Sequence, residues 1–277
     1  MSGGTPAERY SIHILTIKIM KRFFVSFAAA VVAMAFAASA NAQISVGAGY
    51  ANEIAPNKAV YKGTGKGTMM NGKYNLRGFY VEGSYNWNFY ESKSGVLSLQ
   101  PGLRYYYMTD LQSKVNLKDG DDKMNSLARY NDHLLDIPVL IRYAYDFVPG
   151  QVKAYAFAGP VFSLGLSASE VERDIITVDG KVQDGSSKST ANLYTGKVVE
   201  NTWMDGKWDE SETFYDDHLS MFDLKLGVGL GLQVMEKIDV KFGYNIGLLN
   251  RQVEPKDGDT KLKTHSNVLW FGVGYNF

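Results

Sequence analysis

Apolar side chains occupy every second position over eight segments of the chain. In residues 237–250, for example, apolar residues from Ile238 to Leu248 alternate with Asp239, Lys241 and small or polar residues. A repeat of two is typical of a β-strand with two unlike faces. The predicted strands span approximately 44–53, 77–90, 95–108, 131–146, 152–169, 218–235, 237–250 and 265–277.

The intervals between these strands alternate in length. Such a rhythm is typical of up-and-down barrels, whose antiparallel strands are joined by tight turns at one end and by loops at the other. We therefore predict an all-β fold: an eight-stranded antiparallel up-and-down transmembrane β-barrel with long external loops and short periplasmic turns. The long intervals are 54–76, 109–130, 170–217 and 251–264, and the short ones are 91–94, 147–151 and a turn near 236.

The composition of the two strand faces favours lipid, not water, around the barrel. The apolar faces carry no charge and have tyrosine or tryptophan toward their ends, as an aromatic belt at a membrane surface does. The opposite faces combine glycine with charges of both signs, which suits a narrow, filled interior. The alternative is a soluble exported barrel whose apolar faces line a cavity for a small apolar ligand.

The amino-terminal residues have the order of a secretory signal peptide. A basic segment at 20–22 is followed by an apolar run at 23–36 and by small residues that end at Ala42, which is the pattern of an export signal with its cleavage site. We predict a non-native upstream extension at 1–19, a signal peptide at 20–42 and an outer-membrane barrel domain at 43–277. The absence of cysteine means that disulfides do not stabilise this domain.

The overall charge gives no indication of nucleic-acid binding. The formal net charge of the whole chain is +0, with 29 basic and 29 acidic residues. Removal of 1–42 would make the remainder slightly acidic, because that segment holds more basic than acidic residues. A clustered basic surface, the usual mark of a nucleic-acid partner, is not predicted.

Charged residues on the polar faces are expected to meet inside the barrel. Buried charges are costly unless they are paired and hydrogen-bonded, so we predict a salt-bridge network that plugs the interior and fixes the strand register. The alternative is a narrow pore for ions or small solutes, although eight strands leave room for little more than their own side chains. The predicted lumen charge network comprises Glu82, Arg104, Asp136, Arg142, Lys153, Asp223, Lys225, Asp239 and Lys241.

Residue combinations typical of catalysis are sparse. His133 follows Asp132, but adjacent residues of a strand point to opposite faces, so the two side chains should not meet. The Asp-Asp-His sequence at 216–218 is interpreted as a solvated loop end and not as a metal site. The glycine-rich segment 63–68 lacks the spacing of a phosphate-binding loop. We therefore predict no enzymatic activity, no cofactor and no metal site.

The longest interval, 170–217, is acidic and contains further strand-like segments. We predict that 175–178, 193–199 and 202–208 extend the barrel wall as hairpins, the last with Asp205-Gly206 as its turn. Aromatic side chains in this interval are candidate contacts for a protein partner, and packing of the loop on itself is the alternative. These candidates are Trp203, Trp208, Phe214 and Tyr215.

Residues 134–168 and the last strand resemble known sequences. LLDIPVLIRYAYDF followed by KAYAFAGPVFSLGLSA resembles the central hairpin of the PorT-like outer-membrane β-barrel family, which includes a component of a protein-secretion apparatus. The final VLWFGVGYNF resembles the closing strand of bacterial outer-membrane barrels. That second resemblance implies an assembly signal, read by the outer-membrane assembly machinery, at Phe271, Val273, Tyr275 and Phe277.

These observations lead to one hypothesis about function. We expect an integral outer-membrane β-barrel protein of a Gram-negative cell, surrounded by outer-membrane lipid, that acts as a structural or interaction barrel and presents its loops. A link to secretion or surface adhesion, and a protein partner at loop 170–217, are part of this hypothesis.

Overall fold

The described part of the chain consists of antiparallel β-strands. The computed structural model describes residues 42–61, 67–93, 95–120, 122–215, 218–253 and 260–277. Residues Gln43–Phe277 form one compact unit. The predicted extension 1–19, the predicted signal peptide 20–42 except for Ala42, and the glycine-rich residues 63–66 lie outside the described residues. The strands are β1 Ala42–Tyr61, β2 Gly67–Ser92, β3 Gly95–Asp119, β4 Asp122–Val148, β5 Val152–Val178, β6 Lys181–Val182, β7 Ser187–Asn192, β8 Lys197–Met204, β9 Lys207–Phe214, β10 Phe222–Val234, β11 Ile238–Gly247, β12 Thr260–Thr264 and β13 Asn267–Asn276.

Eight of these strands close into a ring, which confirms the predicted barrel. Each ring strand pairs with its neighbours in the order β1-β2-β3-β4-β5-β10-β11-β13. The ring closes where β13 pairs with β1, from Ser45 opposite Asn276 to Ile54 opposite Asn267. Because β10 pairs with β5 directly, strands β6 to β9 form an addition to the ring and not a part of it.

Several ring strands are much longer than the sequence pattern predicts. β4 and β5 each have 27 residues, whereas a membrane crossing needs about 9–11. The predicted loop 109–130 is wrong, because β3 and β4 continue through it as a hairpin. The predicted loop 54–76 is largely strand as well. Both faces of the β3–β4 hairpin are exposed toward its tip, so a regular alternation of apolar and polar residues is not required there.

The predicted wall extension within 170–217 is confirmed in part. The upper half of β5 pairs with β7, β7 with β8, and β8 with β9. The hairpin boundaries differ from the prediction, since residues 193–195 and 205–206 are turns. Asp205 and Gly206 have φ values of 50° and 78°, the left-handed geometry of the tight turn expected there.

The two ends of the barrel are unlike each other. We call the end that carries the tight turns after Ser92, Val148 and Val234 the short-turn end, and the opposite end the extended end. The chain turns after β10 at Met235 and Glu236, both with positive φ. The predicted short turns are therefore confirmed.

The strand faces have the predicted orientation. On β11, Ile238, Phe242 and Ile246 are exposed, whereas Asp239 and Lys241 are buried. On the other ring strands large apolar side chains likewise cover the outside, and the inside holds polar and aromatic residues together with some aliphatic ones such as Leu134 and Leu140. The alternative of a soluble barrel with an apolar cavity is therefore wrong, because the apolar faces do not line the interior.

Candidate functional site: the charged barrel interior and its mouth

A buried carboxylate holds two cations together inside the barrel. Arg104 on β3 donates from Nε to Oε2 of Glu82 on β2 at 2.8 Å, and Lys241 on β11 donates to Oε1 of the same carboxylate at 2.8 Å. All three side chains are nearly inaccessible to water. The cluster joins strands on different sides of the ring and therefore fixes their relative positions.

Aromatic rings surround the guanidinium of Arg104. The ring of Trp270 lies 3.8 Å from Cζ of Arg104, and Nη1 donates to the hydroxyl of Tyr106 at 3.1 Å. A cation above an aromatic face is stabilised most where water is excluded. The indole has room because its cross-strand neighbour on β11 is glycine: a Cβ at Gly243 would overlap the ring of Trp270.

The polar network continues from this cluster toward the extended end. Asn245 accepts a hydrogen bond from Nε1 of Trp270 at 3.2 Å and donates to Asp136 at 3.2 Å. Nζ of Lys225 lies 3.7 Å from Oδ1 of Asp136, and both side chains are fully buried. Asp223 is also buried. Asn245 therefore links the Glu82 cluster, through Trp270, to a second buried polar group around Asp136 that lies further along the barrel axis.

A third group of charges lies toward the short-turn end. Nη2 of Arg142 donates to Gln233 at 3.0 Å, and its guanidinium lies 3.9 Å from the ring centroid of Tyr155. The hydroxyl of Tyr155 donates to Asp239 at 3.2 Å. The structure thus brings eight of the nine predicted lumen charges into the interior. Lys153 is the exception, because it lies at the short-turn rim, partly exposed, where its Nζ donates to Glu236 at 2.7 Å.

The interior leaves little space beside the central ion pairs. The cavity lined by Glu82, Arg104, Lys241 and Trp270 has a volume of about 10 Å³, which is at or below the minimum for one water molecule. At this level the barrel is filled by its own side chains.

A further buried ion cluster at the extended end was missed by the sequence analysis. Nη1 of Arg251 lies 3.3 Å from Oε1 of Glu53 and 3.6 Å from Oδ2 of Asp132. Tyr194, from the turn between β7 and β8, folds into the barrel, donates to Asp132 at 3.0 Å and accepts from Nη2 of Arg251 at 2.8 Å. Burial raises the pKa of the Tyr194 hydroxyl, so the hydroxyl keeps its proton and acts as the donor to Asp132.

One signal in the sequence could have indicated part of this cluster. Glu53 continues the inward face of β1, two residues after the buried Ala51, and Asp132 is followed by the buried Leu134 and Asp136. Arg251 stands outside any alternating segment, and 198 residues separate it from Glu53. No local sequence pattern therefore predicts that Arg251 lies inside the barrel.

The sequence comparison decides which family this polar, filled barrel represents. The model of the family described as outer membrane protein beta-barrel domain matches residues 36–251. The chain belongs to this family. The polar interior and apolar exterior are accordingly those of an outer-membrane β-barrel protein, which places the chain in the outer membrane. A search among curated proteins finds no match.

Solved structures of small outer-membrane proteins are similar to this outer-membrane barrel at low identity. Ail, the attachment invasion locus protein of Yersinia pestis, is 12% identical, with a TM-score of 0.27 and coverage of 86% of this chain and 99% of that one. Neisserial surface protein A is 16% identical, with a TM-score of 0.29 and coverage of 84% and 97%. The outer-membrane enzyme PagL is 11% identical, with a TM-score of 0.37 and coverage of 80% and 98%. Values this low transfer no function to the chain.

The two histidine candidates of the outer-membrane barrel are placed differently: His133 lies on the outer face, and His218 shares the mouth with Glu53 and Asp132. Nδ1 of His133 lies 2.6 Å from the hydroxyl of Tyr105 on the outer face, whereas Asp132 points inward, so the two residues do not meet. His218 lines the mouth, and its neighbours Asp216 and Asp217 lie outside the described residues. Within the described ranges, no group of three side chains could hold a metal ion. No helix in the described part of the chain is long and apolar enough to cross a membrane.

The aromatic candidates of interval 170–217 divide into two pairs. Trp203 and Trp208 face each other across the β8–β9 hairpin, with ring centroids 5.2 Å apart, and Lys188 lies 4.1 Å from the ring of Trp208. These two side chains therefore stabilise the hairpin itself. Phe214 and Tyr215 are 62% and 58% exposed and remain available for contact.

The residues of the predicted assembly signal lie on the outer face of the barrel. Phe271, Val273, Tyr275 and Phe277 are all exposed. The rings of Tyr275 and Phe277 are in edge contact at 5.1 Å. These side chains form an apolar strip beside the seam at which β13 meets β1.

Proposed function

We propose that this outer-membrane barrel spans the membrane as a sealed anchor and that it displays its extended end, with β6 to β9, outside the cell. The observation that carries the proposal is the combination of a filled, ion-paired interior with an apolar outer face. Neither solute passage nor a ligand within the central interior is needed to explain this combination.

The outer face supports the membrane-spanning part of the proposal. Residues such as Phe79, Leu230, Phe242 and Phe271 are about half exposed or more although they are large and apolar. Soluble proteins rarely expose continuous apolar surfaces of this size. In a bilayer the same surface is favourable, and the closed ring leaves no backbone edge unpaired in lipid.

The interior supports the sealed part. Three side chains, Glu82, Arg104 and Lys241, connect across the lumen, and the gap beside them holds about 10 Å³. A conducting pore needs a continuous path wide enough for hydrated or partly dehydrated ions. The narrow-pore alternative therefore requires these ion pairs to open.

The extended end supports an interaction role. It carries a wall of strands in which the exposed residues Phe214 and Tyr215 lie at the base of β9, beside the β7–β8 turn, and aromatic side chains are frequent at protein interfaces. We propose that this wall meets a protein partner, in secretion or in surface adhesion, and that the chain is a PorT-like member of its family.

The proposal includes a route to the membrane. Residues 20–42 are proposed to direct export and to be removed before Gln43, and the exposed strip at Phe271 to Phe277 is proposed to be recognised during assembly. Amino-terminal sequencing of protein taken from the outer membrane tests the first point: a mature chain that begins at Gln43 supports it, and a chain that retains residues 20–42 contradicts it.

Electrical recording from planar bilayers tests the sealed anchor. The protein is reconstituted, and the fraction that is folded is established first from its faster gel migration without heating. Folded protein should then give a flat current record. Discrete, reproducible channel steps that scale with the amount of folded protein would contradict the proposal and favour the narrow pore.

A further inference from the structure

A cavity of about 330 Å³ opens at the extended end of the barrel, within the ion cluster that Arg251 forms. Its size lies at the lower end of the range for small-molecule sites, roughly 300–1,000 Å³. Ring strands, the residues after β11 and the turn after β7 all contribute to its walls. The cavity and the filled central interior are lined by different residues. A ligand could therefore bind in the cavity whether or not the centre of the barrel conducts.

The titratable side chains that line this cavity are mostly acidic. Glu53, Asp132 and Glu170 contribute three carboxyl groups, whereas Arg251 contributes one guanidinium and His218 one imidazole. Buried carboxylates are unfavourable unless cations or hydrogen-bond donors compensate them. The lining therefore favours a ligand that brings positive charge.

A buried acceptor at the cavity that is unpartnered within the described residues, Oε2 of Glu53, points independently to a ligand that donates, and the buried donor Nε of Arg251 beside it would require an acceptor. Oε2 of Glu53 and Nε of Arg251 have no hydrogen-bond partner among the residues that the structure describes, although the two residues are only 2% and 4% exposed. The other oxygen of Glu53 is held by Arg251 at 3.3 Å, which fixes the carboxylate in place. An N–H donor in the cavity would satisfy Oε2.

Aromatic rings form one wall of the cavity. Tyr74 and Tyr130 pack with ring centroids 5.3 Å apart and an interplanar angle of 52°, and both line the cavity. Aromatic faces attract ammonium and guanidinium groups and also pack against an apolar ligand body. The carboxylates thus suit a cationic group, and the aromatic wall suits an apolar body attached to it.

We propose that this cavity binds a small organic cation: an ammonium or guanidinium group on a compact apolar or aromatic body. The cationic group donates to Oε2 of Glu53, and the body packs against Tyr74 and Tyr130. This ligand-binding activity goes beyond the role of a sealed anchor.

Isothermal titration calorimetry on the folded protein in detergent tests the proposal with three probes of similar shape. Phenethylammonium is the cation, 3-phenylpropanamide the neutral counterpart and 3-phenylpropionate the anion. The cation should bind about tenfold more tightly than either counterpart. Equal binding of cation and anion, or no binding of the cation at concentrations up to about 10 mM, would overturn the proposal.

Substitutions locate the binding. Glu53→Gln keeps the shape of the side chain and should weaken cation binding about tenfold, whereas the control Glu210→Gln, on exposed β9, should leave it unchanged. Unaltered binding by Glu53→Gln would overturn the proposal. If Glu53→Gln does not fold, Leu262→Trp fills the cavity from β12 and leaves the charged residues in place. Cation binding should then be lost, and binding at the wild-type level would count against the site.

Discussion

Nζ of Lys241 lies 2.8 Å from Oε1 of Glu82, a residue 159 positions away in the chain. In the ring, β11 and β2 are separated by β13 and β1, so the ion pair crosses the interior instead of linking adjacent strands. Glu82 also accepts from Arg104. One carboxylate thus compensates two buried cations and holds three strands in register.

Removal of that carboxylate should be strongly destabilising. Glu82→Ala leaves Arg104 and Lys241 buried without their shared partner, and loss of one member of a buried ion pair costs about 3–5 kcal/mol. Urea unfolding in lipid vesicles, followed by tryptophan fluorescence, measures the change. As a control, Lys197→Ala breaks the exposed pair with Glu212 on the wall and should change the free energy of unfolding by less than about 1 kcal/mol. Equal effects of the two substitutions would contradict the central role of Glu82.

The close approach of Trp270 to β11 predicts a second sensitive position. Gly243→Ala introduces a Cβ that overlaps the indole ring, and such overpacking costs about 1–3 kcal/mol. The heat-dependent gel shift should therefore occur at a lower temperature in this variant. Gly72→Ala is the matched control, because a Cβ at that position meets no atom within 4 Å. A transition temperature for Gly243→Ala that equals that of Gly72→Ala would refute the packing argument.

The short-turn end offers a test by pH. The hydrogen bond and charge of Lys153 lower the pKa of Glu236 in the folded protein. This ion pair therefore stabilises the fold at pH values above the ordinary pKa of glutamate, and the stabilisation is lost as the pH falls through the lowered pKa. Lys153→Gln should return the pKa of Glu236 toward its ordinary range. NMR titration of isotope-labelled glutamate measures this pKa directly. An unchanged pKa in the variant would show that the ion pair is absent in solution.

The absence of cysteine in the chain allows the orientation to be tested with single substitutions. Lys207→Cys, at the start of β9 beside the hairpin turn, should react with a membrane-impermeant maleimide on intact cells. Lys153→Cys, at the short-turn end, should react only after the outer membrane is permeabilised. The reverse pattern of labelling would mean that the barrel is inserted with the extended end facing the periplasm.

The ring strands and their faces could be predicted from the sequence because each strand contacts two different environments. Phe242 and Lys241 illustrate this: one faces outward, and the other is buried against Glu82. The extensions of β3 and β4 could not be predicted, because near Lys118 and Asp119 both faces are exposed and no alternation is required.

The candidate site was only partly predictable for a related reason. Most lumen charges lie on alternating strands, so their inward direction follows from their neighbours. Lys153 lies at an inward-facing position of β5, but it is so near the turn that its side chain extends to the rim of the barrel. The position of Arg251 is set by the chain path after β11, and its contact with Tyr194 requires a turn that folds back into the mouth. No local pattern encodes such contacts.

The central claim is that the barrel spans the membrane with its polar face inside. Single spin labels at consecutive positions of β11, residues 238–247, test it most directly in lipid vesicles. Collision with oxygen, which concentrates in the bilayer, should be high at Ile238, Val240, Phe242 and Ile246 and low at Asp239, Lys241, Gly243 and Asn245. A profile with the opposite phase, or one without a repeat of two, would contradict the account.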